Sequence, residues 1–136
     1  MVFFTLQVIY DTIAMSRGRE ILRHSKNGLE VICMRKIKLT VLKRTLHEDL
    51  VKEYGAGGDF SFCPRHKEGE TIIIENGEKP EELCEEAWAA FGRYAFAMAH
   101  GTEIFWKDWI SKKNLTVNSC NDGLRPVIFK MECIED

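Results

Sequence analysis

Hydrophobic and polar residues alternate most regularly over residues 127–134. Valine, phenylalanine, methionine and cysteine side chains fall on one face of an extended strand there, whereas Lys130 and Glu132 fall on the other, as expected for a strand with one buried face. The preceding segment, residues 118–126, contains Asn-Asp-Gly, which favours a turn because these residues tolerate positive φ. A strand over residues 115–120 leads into this turn, so the pattern predicts a C-terminal β-hairpin.

The same kind of alternation predicts an earlier strand over residues 36–44, and three consecutive isoleucines predict a central strand over residues 70–75. Thr45 and Glu48 match a capping box, in which the threonine hydroxyl and the glutamate carboxylate satisfy backbone N–H groups at the start of a helix. A short helix through Tyr54 is therefore expected after the first of these strands.

The longest helix is predicted to begin at Pro80 and to close at His100 and Gly101. Proline suits the first helical position, two glutamates follow at the positive end of the helix dipole, and apolar residues then recur at steps of three and four. The aromatic segment at residues 102–113 is either a second short helix or irregular. This order of elements predicts an α+β fold, namely a small, mostly antiparallel sheet with one main helix packed on a face and a C-terminal β-hairpin.

The pattern is weakest over residues 1–34. Apolar residues between positions 6 and 13 have helical spacing, but the pattern fades and Asn27-Gly28 breaks it. The segment is interpreted either as an appended helix or as a weakly ordered extension, and we favour the extension. A single α+β domain is expected over residues 35–136.

Composition narrows the function classes. The 136 residues include 19 Lys and Arg and 21 Asp and Glu, so the net charge is −2, and we expect neither nucleic acid nor a membrane as a partner. No apolar run reaches the roughly 18 residues of a membrane span, and the first residues lack the basic start of a signal peptide. We therefore expect a cytoplasmic protein that binds a small molecule or a metal, and the oligomeric state stays open.

The five cysteines carry most of the candidate chemistry. They stand at positions 33, 63, 84, 120 and 133, and no Cys-x-x-Cys pair occurs. Without a secretion signal, reduced thiols or metal ligands are expected rather than disulfides. If the loop that contains Cys63 and His66, the helix start at Cys84 and the turn at Cys120 converge, three thiolates and one imidazole complete a tetrahedral zinc or iron site. The alternative for Cys84 is that of a small core residue.

The turn at residues 118–126 displays Cys120, Asp122 and Arg125 together. Cys120 is the candidate nucleophile of a cysteine-dependent enzyme, with Arg125 favouring its thiolate and a histidine as base. Asp122 opposes thiolate formation, and its alternative role is to pair with Arg125 and brace the turn. The sequence places no histidine near Cys120, so this enzyme hypothesis lacks its base.

A third hypothesis is a noncatalytic binding or interaction module. Its ligand pocket would be walled by Trp88, Trp106 and Trp109, with Arg125 meeting an anionic group and Asp122 beside it. Trp88 recurs at helical spacing with other apolar residues, and this spacing also fits simple core packing.

Four motifs carry a resemblance to a known family. They are a strand with Thr-Val-Leu at residues 38–42, a Cys-Pro with a following glycine at residues 63–69, a Pro-x-x-x-Cys-x-x-Ala-Trp helix at residues 80–88, and Cys-x-Asp-Gly-Leu-Arg-Pro-Val-Ile-Phe-Lys-x-Glu at residues 120–132. From about Arg35 onward the chain resembles a family of small, uncharacterised prokaryotic proteins that share these motifs. The resemblance covers roughly three quarters of the chain.

This resemblance implies a fold and a set of residues that matter, but no activity, because the family has none assigned. The chain departs from the family pattern at Ser119, where a further cysteine is expected, and at His66, which the pattern does not include. The site hypotheses therefore rest on the residues themselves.

Overall fold

The computed structural model describes residues 20–25 and 28–134, and the chain divides into two compact units between Met34 and Arg35. In the first unit, strand β1 (Glu20–Ser25) pairs antiparallel with strand β2 (Gly28–Cys33). This two-stranded sheet was not predicted by either interpretation of the segment. Gly28 has a φ of 126°, which suits the bend between paired strands better than a helix. The predicted helical spacing over residues 6–13 lies outside the described residues.

The second unit contains one antiparallel four-stranded sheet and two helices. In chain order its elements are β3 (Lys36–Arg44), α1 (Glu48–Tyr54), β4 (Thr71–Ile74), α2 (Glu85–Ala99), β5 (Leu115–Ser119) and β6 (Val127–Ile134). The strand order is β4-β3-β6-β5, and each neighbouring pair is antiparallel. In the described part of the chain, no helix combines the length and the apolar character that crossing a bilayer requires.

The core forms between the two inner strands and helix α2. Leu39 and Val41 of β3 lie opposite Met131 and Phe129 of β6, and all four side chains are buried. Alternation with period two produces this face, because every second residue of a strand points the same way. Phe91 of α2 completes the packing, with its ring centroid 5.2 Å from that of Phe129.

Strand β4 differs from its prediction. Among the described strands it lies at an edge of the sheet and pairs with β3 alone, whereas the run of isoleucines predicted a central strand. Ile72 and Ile74 are buried, but Ile73 between them is 42% exposed. A β-branched run therefore indicated the strand correctly and its position in the sheet wrongly, because the position depends on pairing with distant residues.

The capping box is also absent. His47, not Thr45, is the residue before helix α1, and no side chain caps the helix start. The backbone N–H groups of Thr45 and His47 donate instead to the carbonyls of Pro126 and Leu124. These contacts tie the segment to the distant turn before β6 and override the local preference. The predicted end of the helix at Tyr54 is confirmed.

Helix α2 begins at Glu85 rather than at Pro80, because residues 80–83 form a separate turn closed by the Leu83 N–H and the Pro80 carbonyl. The helix ends at Ala99, next to the predicted closing residues. Residues 102–113 are irregular, as the second of the two alternatives predicted. Trp106 has a φ of 49°, which interrupts any helix there.

Candidate functional site

Three cysteines from separate segments line one cavity of about 540 Å³. Cys63 belongs to the loop after α1, Cys84 directly precedes α2, and Cys120 follows β5. Each is half-buried, and each is a free thiol. We call this cavity the three-cysteine pocket; charged side chains complete most of its lining.

The turn between β5 and β6 holds its shape through Asp122. One carboxylate oxygen, Oδ1, accepts hydrogen bonds from the N–H groups of Leu124 (2.9 Å) and Arg125 (3.0 Å). The other, Oδ2, accepts one from Arg125 Nε at 3.2 Å. Burial acts to raise the pKa of Asp122, but these hydrogen bonds and the charge of Arg125 outweigh it, so the pKa lies below its ordinary value. Asp122 therefore stays ionised and braces the turn, the alternative role considered for it from the sequence.

Cys120 lies at the start of this turn, directly after β5 and next to the first residue of β6. Its N–H donates to the Val127 carbonyl at 3.0 Å, and the Val127 N–H donates to Cys120 Sγ at 3.3 Å. Both ends of the turn are thus fixed to each other, and the sulfur has a defined position at the pocket.

The other two cysteines are held by the secondary structure around them. Cys84 is the N-cap residue of the 15-residue helix α2, and no side chain caps the helix there. The positive end of the helix dipole therefore faces the pocket region at Cys84. The Cys63 carbonyl accepts a hydrogen bond at 3.2 Å from Nη1 of Arg44, at the end of β3.

The pocket lining has charges of both signs. Lys79 pairs with Glu85 at 3.2 Å, and Arg125 pairs with Asp122 as described above. Arg65 also lines the pocket and has no ion-pair partner among the described residues.

Two further carboxylates of the lining, Glu81 and Glu86, are exposed and unpaired within the described part of the chain. Arg65 and these glutamates were not among the predicted site residues. The position of Arg65, two residues after Cys63, was the available clue for the arginine.

His66 does not join the cysteines. It is 1% exposed, lies outside the pocket lining, and meets the ring of Phe129 edge-on at 5.5 Å. Its Nδ1 lies 3.4 Å from Glu70 Oε2, and neither ring nitrogen has a hydrogen-bond partner in the structure. Across residues 20–25 and 28–134, no group of three His, Cys, Asp or Glu side chains is placed to hold a metal ion. The predicted set of three thiolates and one imidazole is therefore not assembled.

The three tryptophans also lie outside the pocket lining. Trp88 packs against the core, and its ring covers Gly92 so closely that a Cβ there would come within 2.7 Å of it. Trp106 and Trp109 stack on each other at 5.3 Å and are 44% and 78% exposed. The predicted aromatic wall around Arg125 is thus not formed, and that arginine lies over the ring of Phe60 instead, at 4.8 Å.

Cys133, near the other end of β6, provides a contrast. It does not line the pocket, and burial raises the pKa of its thiol, although the charge of Arg35 acts in the opposite direction. Its backbone N–H donates to the Asn114 carbonyl at 3.0 Å. Like Cys84, it packs partly against the core, and its environment is that of a structural thiol.

Comparison of the chain with protein-family models, with curated proteins and with solved structures found no match. The resemblance to the family of small prokaryotic proteins therefore stays a prediction. Any functional conclusion has to come from the pocket.

Proposed function

We propose that the three-cysteine pocket is the functional site of this protein and that it binds a small polar molecule with charges of both signs. The observation that carries the proposal is the convergence of Cys63, Cys84 and Cys120, which lie far apart in sequence, on one cavity with charged walls. Its volume of about 540 Å³ falls in the range of small-molecule sites, roughly 300–1,000 Å³.

The proposal also concerns how the long helix and the last two strands are arranged around the pocket. We infer that α2 is the main cover of one sheet face and that β5 and β6 act as the closing hairpin, so that the helix start and the neck of the hairpin border the same cavity. The location that we propose is the cytoplasm, where thiols are kept reduced. Free thiols at all three pocket positions agree with this location.

The charges favour a zwitterion. Arg65 is the unpaired cation of the lining, and Arg125 is fixed by Asp122, so both suit a ligand carboxylate. Glu81 and Glu86 lie on the same lining without ion-pair partners among the described residues and suit a ligand ammonium group. Amino acids and short peptides combine both charges at this scale.

Calorimetric titration with S-methylglutathione, a zwitterionic tripeptide without a free thiol, tests this. We expect saturable binding that Arg65→Ala weakens by about tenfold to a hundredfold, since hydrogen bonds to charged groups contribute about 1.5–3 kcal/mol. Arg93→Ala is the matched control, because Arg93 is an exposed arginine outside the pocket lining. The proposal fails if S-methylglutathione and free amino acids give no binding heat, or if both arginine variants lose affinity equally.

A second candidate function is the binding of zinc or iron by Cys63, Cys84 and Cys120. Three thiolates suit a thiophilic metal, and a carboxylate of the pocket lining would supply the fourth ligand. Because no metal-binding group is assembled among the described residues, the three sulfurs would have to move together on binding. Elemental analysis of protein purified without oxygen or chelator tests this. Near-stoichiometric metal that is lost in Cys120→Ser supports the candidate, and metal-free folded protein contradicts it.

A further inference from the structure

We propose that the three-cysteine pocket carries out thiol–disulfide exchange with a small disulfide of the amino-acid or short-peptide type, with Cys120 as the attacking thiol. This inference rests on the proposed function, because the same charged walls would hold the carboxylate and ammonium groups of such a disulfide. It adds a chemical step and names the class of ligand that undergoes it.

The placement of Cys120 supports its role as the attacking group. Its sulfur accepts the Val127 N–H at 3.3 Å, and the residue lines the pocket while half-buried. A disulfide is attacked by a sulfur that can reach it, and the hydrogen bond from Val127 fixes the position of the Cys120 sulfur at the pocket. Cys133 lacks both features, since it does not line the pocket and its sulfur accepts no hydrogen bond among the described residues.

The exchange needs no base from the protein beyond a thiolate. This matters because no histidine is among the residues that line the pocket. His66 is the histidine nearest in sequence to a pocket cysteine, and it is buried, with 1% of its surface exposed. A nucleophile that attacks an ester or an amide would need such a base. A disulfide, by contrast, is attacked by a thiolate without a further catalytic group.

The chemical steps balance as follows. The Cys120 thiolate attacks one sulfur of the ligand disulfide, the ligand S–S bond breaks, and one half of the ligand leaves as a thiolate that takes a proton from water. Cys63 or Cys84 then loses its proton to water, moves to bonding distance of Cys120 and attacks the Cys120 sulfur of the mixed disulfide, which releases the second half in the same way. The ligand disulfide is reduced to two thiols, and two protein thiols are oxidised to one disulfide.

Oxidised glutathione is the disulfide to use in the test. Reduced full-length protein is mixed with it at neutral pH, quenched with acid and mapped by mass spectrometry. We expect a glutathione adduct on Cys120, followed by a disulfide from Cys120 to Cys63 or Cys84, and complete reversal by dithiothreitol. Cys120→Ser should slow thiol loss about tenfold or more, whereas the matched variant Cys133→Ser should leave the rate unchanged.

A double variant and a thermal melt separate folding from chemistry. The double variant Cys63→Ser/Cys84→Ser retains Cys120 and should stop at the mixed disulfide, and a thermal melt of each variant identifies any that fail to fold. If Cys120→Ser does not fold, the arrest of this double variant at the mixed disulfide carries the test instead. Equal glutathione adducts on Cys133 and on the pocket cysteines would overturn the inference.

Binding and exchange can fail separately. S-methylglutathione cannot exchange, so its calorimetric binding reports on the pocket alone. Saturable binding without any adduct from oxidised glutathione overturns the exchange and leaves the proposed function standing. If neither binding of S-methylglutathione nor an adduct from oxidised glutathione is observed, both the proposed function and the exchange are overturned.

Discussion

The two ends of strand β6 each combine an arginine with a cysteine, yet the two pairs are arranged for different purposes. At the far end, Arg35 donates to the carbonyls of Met98 and Thr102 and to Asn114 Oδ1, at distances of 2.8–3.0 Å. These bonds tie the end of α2 to the segment before β5. The guanidinium of Arg35 therefore has a structural role, since its hydrogen bonds link these two segments.

At the near end, the guanidinium of Arg125 is held by Asp122 through Nε, and Arg125 lines the three-cysteine pocket. Cys120 lines the same cavity, whereas Cys133 at the far end does not. An arginine whose guanidinium N–H groups donate to carbonyl oxygens stabilises the fold. An arginine that is held through one nitrogen has its other N–H groups available to bind a ligand. The comparison predicts that the two ends respond differently to substitution.

The largest expected effect is on stability at the far end. Arg35→Ala removes the hydrogen bonds to Met98, Thr102 and Asn114 and should lower the free energy of unfolding by about 3 kcal/mol. Urea denaturation measures the change, and S-methylglutathione binding by the folded fraction should persist. The contrast between the two ends would break if Arg35→Ala unfolded no more easily than Arg125→Ala.

At the near end, we expect substitution of the arginine to affect ligand binding more than stability. Arg125→Ala breaks an ion pair whose partners are about one-third exposed, and such pairs contribute about 1 kcal/mol or less. We expect a small change in the urea midpoint together with a clear loss of S-methylglutathione affinity in the calorimeter. Unchanged affinity would show that the arginine only braces the turn.

The pH dependence of stability sharpens the role of Asp122. Because its pKa is lowered in the folded protein, its carboxylate stabilises the fold above the ordinary pKa of 3.8, and this contribution is lost as the pH falls through the lower folded value. Asp122→Asn keeps an oxygen for the backbone donors but removes the charge. The stability difference between wild type and Asp122→Asn should therefore shrink when urea melts are repeated below pH 4. A difference that is constant across this range contradicts the assignment.

The smallest effect concerns Cys133. Its raised pKa leaves little thiolate at neutral pH, so iodoacetamide should label it more slowly than an unfolded cysteine, and labelling should accelerate as the pH rises. Labelling of native and of urea-unfolded protein, read by peptide mapping, gives the ratio. Equal rates in the two states would remove the distinction drawn between Cys133 and the pocket thiols.

The local sequence pattern predicted many of the strands and helices, but it predicted little of how they pair and pack with one another. Residues 36–44 form a strand as predicted, because alternation depends only on which side chains share a face. The edge position of Thr71–Ile74 and the backbone bonds of Thr45 to Pro126 depend on residues far away in sequence, which a pattern does not contain. The two-stranded sheet at residues 20–33 was missed for a different reason: its strands are neighbours in sequence, and the Asn27-Gly28 signal was interpreted as the end of a helical pattern rather than as a hairpin turn.

The candidate site divides in the same way. Asp122 and Arg125 are three residues apart, so their pairing followed from the turn itself. His66 stands three residues from Cys63 in sequence, yet it is buried against Phe129 while Cys63 lines the pocket. Spacing gave proximity along the chain, whereas the direction of each side chain was decided by tertiary packing.

If Cys63, Cys84 and Cys120 form one ligand site, a bound ligand should protect all three thiols from alkylation. The folded protein is labelled briefly with iodoacetamide at neutral pH, with and without saturating S-methylglutathione, and each cysteine is quantified by peptide mapping. A single ligand site predicts that the three pocket cysteines label faster than Cys133 and that the ligand protects all three while Cys133 is unaffected. Uniform labelling that S-methylglutathione does not change would contradict it.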